Sequence, residues 1–96
     1  MYCGDLHMQE HTLDIINKLG LHARAATKLA NLAQRYASSV VVAYAGKEVD
    51  CKSIMSLMLL AAANGCRITI KTQGEDEQEA LEAVTTLITN RFGEDE

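Results

Sequence analysis

Gly20-Leu21-His22-Ala23-Arg24-Ala25-Ala26-Thr27 is the stretch on which the fold turns, because two periodicities meet in it. An extended apolar run, Leu13 to Ile16, leads into it. In the segment that leaves it, Ala26, Leu29, Ala30, Ala33 and Tyr36 recur at helical spacing. That spacing predicts a helix over residues 23–36 and puts His22 in the loop or first turn where strand hands over to helix. Gly20 permits the tight turn that brings the imidazole to the helix end. The first backbone N–H groups of a helix have no partner within it, and its N-terminus carries partial positive charge. Such a terminus favours phosphate. Arg24 adds a fixed charge and a planar fork of donors suited to phosphate oxygens.

Towards the N-terminus, residues 11–17 read as the first strand through Leu13, Ile15 and Ile16, and residues 1–8 as a polar, frayed extension. His7 and His11 stand four apart, but no helix is indicated there and no third ligand is near. They read as solvent-exposed, and no metal is expected. Towards the C-terminus, the β-branched run at residues 40–45 reads as a buried strand, Gly46-Lys47 as a tight turn and residues 48–51 as a returning strand. Ser53 stands where a helix N-cap belongs. Residues 54–63 then carry Ile54, Met55, Leu57, Met58, Leu59 and Leu60 on nearly every face, and in so small a domain one side should stay exposed. Asn64-Gly65 closes that helix. Residues 66–72 alternate around Ile68 and Ile70 as a half-buried strand does, with Cys66 packing as a small hydrophobe. Asp76 and Glu79 have capping-box spacing. The last helix buries Ala80, Leu81, Val84, Leu87, Ile88 and Phe92, Gly93 stops it, and residues 94–96 are an acidic tail.

The resulting order, β-α-β-β-α-β-α, places the chain in the α+β class. It suggests a mostly antiparallel sheet covered on one face by helices, with split β-α-β halves of the ferredoxin-like kind. Residues 9–93 suffice for one domain, whose core must be aliphatic because 48% of the 96 residues are hydrophobic and only 4% aromatic. A net charge of -4 with no cluster of like charges argues against nucleic acid. No apolar run approaches the ~20 residues that span a bilayer. No basic-then-apolar leader opens the chain. No membrane insertion is expected, and a cytoplasmic location is. Cys3, Cys51 and Cys66 are scattered without C-x-x-C spacing, which points to reduced thiols.

The stretch from Gly20 to Thr27 resembles the active-site segment of HPr, the histidine-containing phosphocarrier family of the bacterial phosphotransferase system. A second stretch, Lys52-Ser53-Ile54-Met55-Ser56-Leu57, resembles that family's regulatory-serine segment at a fitting distance downstream. The resemblance runs from about residue 10 to about residue 92. It implies an open-faced β-sandwich of four strands and three helices. It also implies that His22 accepts and donates a phosphoryl group through Nδ1, with Arg24 as its electrostatic partner. Neutral imidazole is nucleophilic near neutral pH. Phosphoryl transfer demands mainly positioning and charge stabilisation, so the backbone N–H groups of Ala23 and Arg24 are expected to complete the cradle.

The partners implied are enzyme I as donor, IIA domains as acceptors and an HPr serine kinase/phosphorylase acting on Ser53. Leu21, Leu29, Ile54, Met55 and Met58 are expected to form the docking surface, where methionines suit several partners. No cofactor is implied, and the chain reads as a monomeric carrier rather than a stand-alone catalyst. Ala25 departs from the family pattern, standing where proline is common. Asn31, Gln34 and Ser56 stand where lysines are frequent. Two other readings compete: the nitrogen-related branch of the same system, against which Lys52-Ser53-Ile54-Met55 tilts, and a ferredoxin-like binding module whose histidine is incidental.

Overall fold

Residues 8–16, 20–60 and 65–93 are described by the structure, a computed structural model. Their elements follow in the order β1 (Met8–Asp14), α1 (Ala23–Ala33), β2 (Ser39–Tyr44), β3 (Lys47–Asp50), α2 (Ile54–Leu60), β4 (Arg67–Gln73) and α3 (Glu77–Thr89). The four strands make one sheet, β1-β4-β2-β3, in which every neighbouring pair is antiparallel. β1 and β2 therefore run parallel with β4 between them, and β3 and β4 run parallel with β2 between them. Two split β-α-β units interlock, and the fold is the expected open-faced sandwich.

Alternation decides which sheet face is covered. Ile68, Ile70 and Thr72 of β4 and Val40 and Val42 of β2 are buried, while their neighbours Arg67, Gln73 and Ser39 are exposed. The helices supply the rest of the core through Leu29, Leu57, Val84 and Ile88, with Ile15 and Phe92 joining them. Each large apolar side chain buried there contributes roughly 1.5–3 kcal/mol. Four alanines of α1, at 25, 26, 30 and 33, are fully buried and let that helix lie close to its neighbours. Thr72 is a polar core residue, satisfied by donating its Oγ1–H to the Glu77 carbonyl at 2.9 Å. The open face carries polar pairs instead, such as Thr12 with Thr69 at 2.9 Å.

Several boundaries differ from the sequence expectation. The first strand lies at Met8–Asp14 rather than residues 11–17, because an edge strand needs backbone pairing more than apolar side chains. Gln9 and Glu10 pair with Thr72 and Lys71, whereas Ile15 is buried beyond the strand. The expected frayed extension falls otherwise outside the described residues, as do Asn64 and the acidic tail. α1 stops at Ala33, and Tyr36 lies past its end, half-buried. There Gln34 Nε2 donates to the Lys52 carbonyl and Lys52 Nζ to that of Tyr36, each at 2.9 Å, tying the helix end to the segment before α2. The hairpin turns on Ala45 and Gly46, at φ 53° and 84°, one residue earlier than expected. β2 is only half-buried, because among the described residues the helices cover one face of the sheet.

The capping box does not form. Asp76 occupies the N-cap of α3 without a capping bond, and its carboxylate instead accepts from Ala37 N and Ser38 N, both at 2.9 Å, and from the Ser38 hydroxyl. Those bonds hold the Asp76 carboxyl below the usual carboxylate range. Gly74 makes the clamp sterically possible. A Cβ there would sit 2.7 Å from Ser38 Cα, and its φ of 149° is one that side chains rarely adopt.

Candidate functional site at the N-terminus of the first helix

His22 is the N-cap of α1, with extended backbone at φ -79° and ψ 178°. The helical ladder begins with Ala26 N donating to the His22 carbonyl at 2.8 Å. The N–H groups of Ala23, Arg24 and Ala25 precede that first rung and have no intrahelical acceptor. The His22 side chain makes no capping bond, and the first turn contains no acidic residue. An N-cap side-chain acceptor ordinarily reaches the second and third N–H groups of the helix, which are those of Arg24 and Ala25. Gly20, at φ 67°, turns the chain into this position, and buried Leu21 anchors the approach. Buried Ala25, Ala26 and Leu29 fix the helix below the site, while Lys28 Nζ donates to the Phe92 carbonyl at 2.7 Å. His22 is half-buried and Arg24 exposed, so the group sits at a surface that another protein can reach.

His22 occupies the N-cap of α1, and Ala23 and Arg24 its first two positions. The expected docking residues divide. Leu21 and Leu29 lie in the core, 5% and 0% exposed, and cannot present a docking surface. Leu29 shares the buried face of the alanines, and Leu21 packs inward to hold the loop. Ile54 is half-buried, whereas Met55 and Met58 are 67% and 42% exposed. Leu59, passed over as a docking residue, is 75% exposed and completes their stripe at i, i+3, i+4. With Leu57 and Leu60 buried on the other side, α2 is amphipathic, and it packs against α1. Its polarity was hard to read because nearly every position is apolar.

Ser53 caps α2, its Oγ accepting from Ser56 N at 3.3 Å and its carbonyl from Leu57 N at 3.1 Å. Cys66 is less hydrophobic in its setting than expected: half-buried, with Sγ donating to Tyr44 Oη at 3.1 Å. Cys51 is fully buried, and that desolvation is the main cause pushing its thiol up to about 12. Among the described residues, no helix is long and apolar enough to cross a membrane.

Known proteins place these features in context. The family model described as the PTS HPr component phosphorylation site matches residues 9–90. The phosphocarrier protein HPr of Cupriavidus necator is 53% identical over 89 residues, covering 93% of this chain and 100% of that one. A phosphocarrier protein called NPr, from Shewanella violacea, is 39% identical over 85 residues, or 88% of this chain and 93% of its own. The crystal structure of HPr from Thermoanaerobacter tengcongensis superposes with a TM-score of 0.88 at 39% identity, covering 92% and 99% of the two chains.

Fold and helix-end site are together those of a small phosphocarrier. The chain belongs to the HPr family of the phosphotransferase system.

Proposed function

We propose that this chain carries a phosphoryl group on His22, accepting it from phosphorylated enzyme I and delivering it to a IIA domain. The observation that carries this reading is an N-cap histidine whose side chain leaves the capping position unused, ahead of a turn free of carboxylates. In the first leg, a neutral imidazole nitrogen, Nδ1 by family resemblance, attacks phosphorus as the bond to the donor breaks. The second leg reverses those roles towards the acceptor. On His22 the phosphoryl group itself becomes the cap. Its oxygens accept from the N–H groups of Ala23 and Arg24, which have no intrahelical acceptor, with the Arg24 guanidinium alongside. Exposure to water keeps that stabilisation modest, which suits a group that must leave again.

The Met55, Met58 and Leu59 stripe is the apolar part of the docking surface, on the helix packed beside α1. Ser53 lies at its edge. A phosphate there remains compatible with the helix end, because an oxygen can take over as acceptor from Ser56 N, but it adds ~1.5–2 negative charges beside the stripe. Regulation by a serine kinase is therefore physically consistent with its capping role. The 53% identity to an HPr against 39% to an NPr favours the sugar branch over the nitrogen branch. A monomer acting in the cytoplasm fits brief exchanges with several partners.

A two-step chase tests the relay. The chain labelled by enzyme I and phosphoenolpyruvate, then repurified, should discharge its label onto a IIA domain. Label that stays on the chain when an active IIA domain is added would refute the second leg.

A further inference from the structure

The proposed docking stripe carries two sulfur atoms. Met55 and Met58 are both exposed, three residues apart on the outer side of α2, with Leu59 beside them. Helix neighbours at that spacing have Cβ atoms about 5–6 Å apart, so the two thioethers share one patch. The fold does not lean on them. Leu57 and Leu60 supply the buried side of α2, and the Ser53 hydroxyl caps its start by accepting from Ser56 N. The thiols are placed otherwise. Cys51 is fully buried with its thiol pushed up to about 12, and Cys66 is half-buried with Sγ donating to the Tyr44 hydroxyl. Oxidation of a thiol follows thiolate character and exposure, and Cys51 has neither. A methionine sulfur carries no proton, so exposure governs its reactivity.

The chemistry is the transfer of one oxygen atom. A thioether lone pair attacks an oxygen of hydrogen peroxide and the O–O bond breaks. The departing hydroxide takes the proton of the transferred oxygen and leaves as water. Sulfur gives up two electrons and gains an S=O bond, and the peroxide is reduced. The sulfoxide oxygen is a polar acceptor, hydrated on a free surface and stripped of that water in a docked one. Burying a polar group without a hydrogen-bond partner is unfavourable, and a surface that fits an apolar stripe need supply no donor. We infer that Met55 and Met58 form a modification site, whose conversion to sulfoxides by hydrogen peroxide weakens docking of the phosphoryl donor while leaving His22 and the fold intact. The inference rests on the carrier reading proposed above and names a regulation of its docking surface. It differs from a phosphate on Ser53 in charge and in reversal. The sulfoxide adds no charge, and a methionine sulfoxide reductase removes it.

The test treats the purified chain with hydrogen peroxide, removes the oxidant and locates the sulfoxides by peptide mass mapping. Steady-state phosphorylation by the cognate enzyme I then gives KM and kcat for untreated, oxidised and reductase-repaired protein. Met55→Leu/Met58→Leu is carried through the same treatment. With both sulfurs oxidised, KM should rise by about tenfold at low and high salt alike. The value of kcat and the urea midpoint should hold, and reductases for the two sulfoxide epimers should restore KM. Whatever its own starting KM, the variant should show the same value before and after peroxide. Sulfurs at 55 and 58 that stay unoxidised in the native chain but oxidise in urea overturn the site. Sulfoxides at both positions with unchanged KM overturn the switch and leave the carrier function standing. A rise in KM that the variant shares, or that persists once the reductases have removed the sulfoxides, belongs to another group and overturns the inference. A fall in the urea midpoint on oxidation also overturns it, because the sulfurs would then support the fold. Absence of phosphorylation in the untreated chain overturns the carrier reading and the switch together.

Discussion

Replacing Ala25 by proline separates the two roles of the α1 N-terminus, structural and chemical. A proline inside a helix costs about 3 kcal/mol, mostly through a lost hydrogen bond and a clash with the carbonyl four residues back. Neither penalty applies at residue 25, because the first rung is Ala26 N to the His22 carbonyl and Leu21 lies before the helix. Restricting the unfolded chain should contribute ~0.4–1 kcal/mol in favour of the fold. Ala25 is fully buried, however, and accommodating a ring where packing is tight costs ~1–3 kcal/mol. Folding stability should therefore stay within about 2 kcal/mol of wild type. The phosphoryl group keeps both of its backbone donors, the N–H groups of Ala23 and Arg24, and the Arg24 guanidinium. A hydrogen bond to a charged group is worth ~1.5–3 kcal/mol when well shielded. Discounted to about 1 kcal/mol for this water-exposed site, losing such a donor would be a roughly fivefold shift of phosphoryl equilibrium away from the carrier, and Ala25→Pro should show no shift of that size. Urea unfolding and the equilibrium ratio of phosphorylated carrier to phosphorylated enzyme I measure the two effects separately. A folded variant whose equilibrium ratio falls about fivefold would put the Ala25 N–H in the cradle and refute the assignment to Ala23 and Arg24. A variant that fails to fold would refute the placement of Ala25 outside the hydrogen-bond ladder.

Other residues give independent checks. Ser53→Ala should cost about 1 kcal/mol in urea unfolding through the lost cap, while Ser53→Asp, which can still cap, should stay within ~0.5 kcal/mol of wild type yet raise the KM for enzyme I. Asp76 is held below the usual carboxylate range in the fold by its bonds to Ser38 and Ala37. Its stabilisation is thus present above the ordinary carboxylate pKa and lost as pH falls through the lower folded value. The stability gap between wild type and Asp76→Asn should be constant near neutrality and close in acid. Cys51, with its thiol pushed up to about 12, should resist alkylation at pH 8 in the native protein and react on unfolding, as peptide mapping would show.

Much of this architecture was legible because local and tertiary signals agreed. The alternation around Ile68 and Ile70, the helical spacing from Ala26 to Ala33 and the capping serine at 53 survive intact in the fold. The helix-end histidine was legible for the same reason: a glycine turn, an N-cap position and an arginine are all local. What sequence missed depends on partners distant in the chain. Gln9 and Glu10 look like loop residues until β4 offers them a backbone ladder. Asp76 looks like a cap until Gly74 lets Ser38 approach and claim its carboxylate. Leu29 and Leu59 are chemically identical, and only the packing of α1 and α2 sends one into the core and the other to solvent.

The central claim is that His22 is the phosphorylated atom's host. Incubation with active cognate enzyme I and phosphoenolpyruvate should place one acid-labile, base-stable phosphoryl group on the wild-type chain and none on His22→Ala, with both proteins folded. An unlabelled wild type, or a label that persists in His22→Ala, would contradict it.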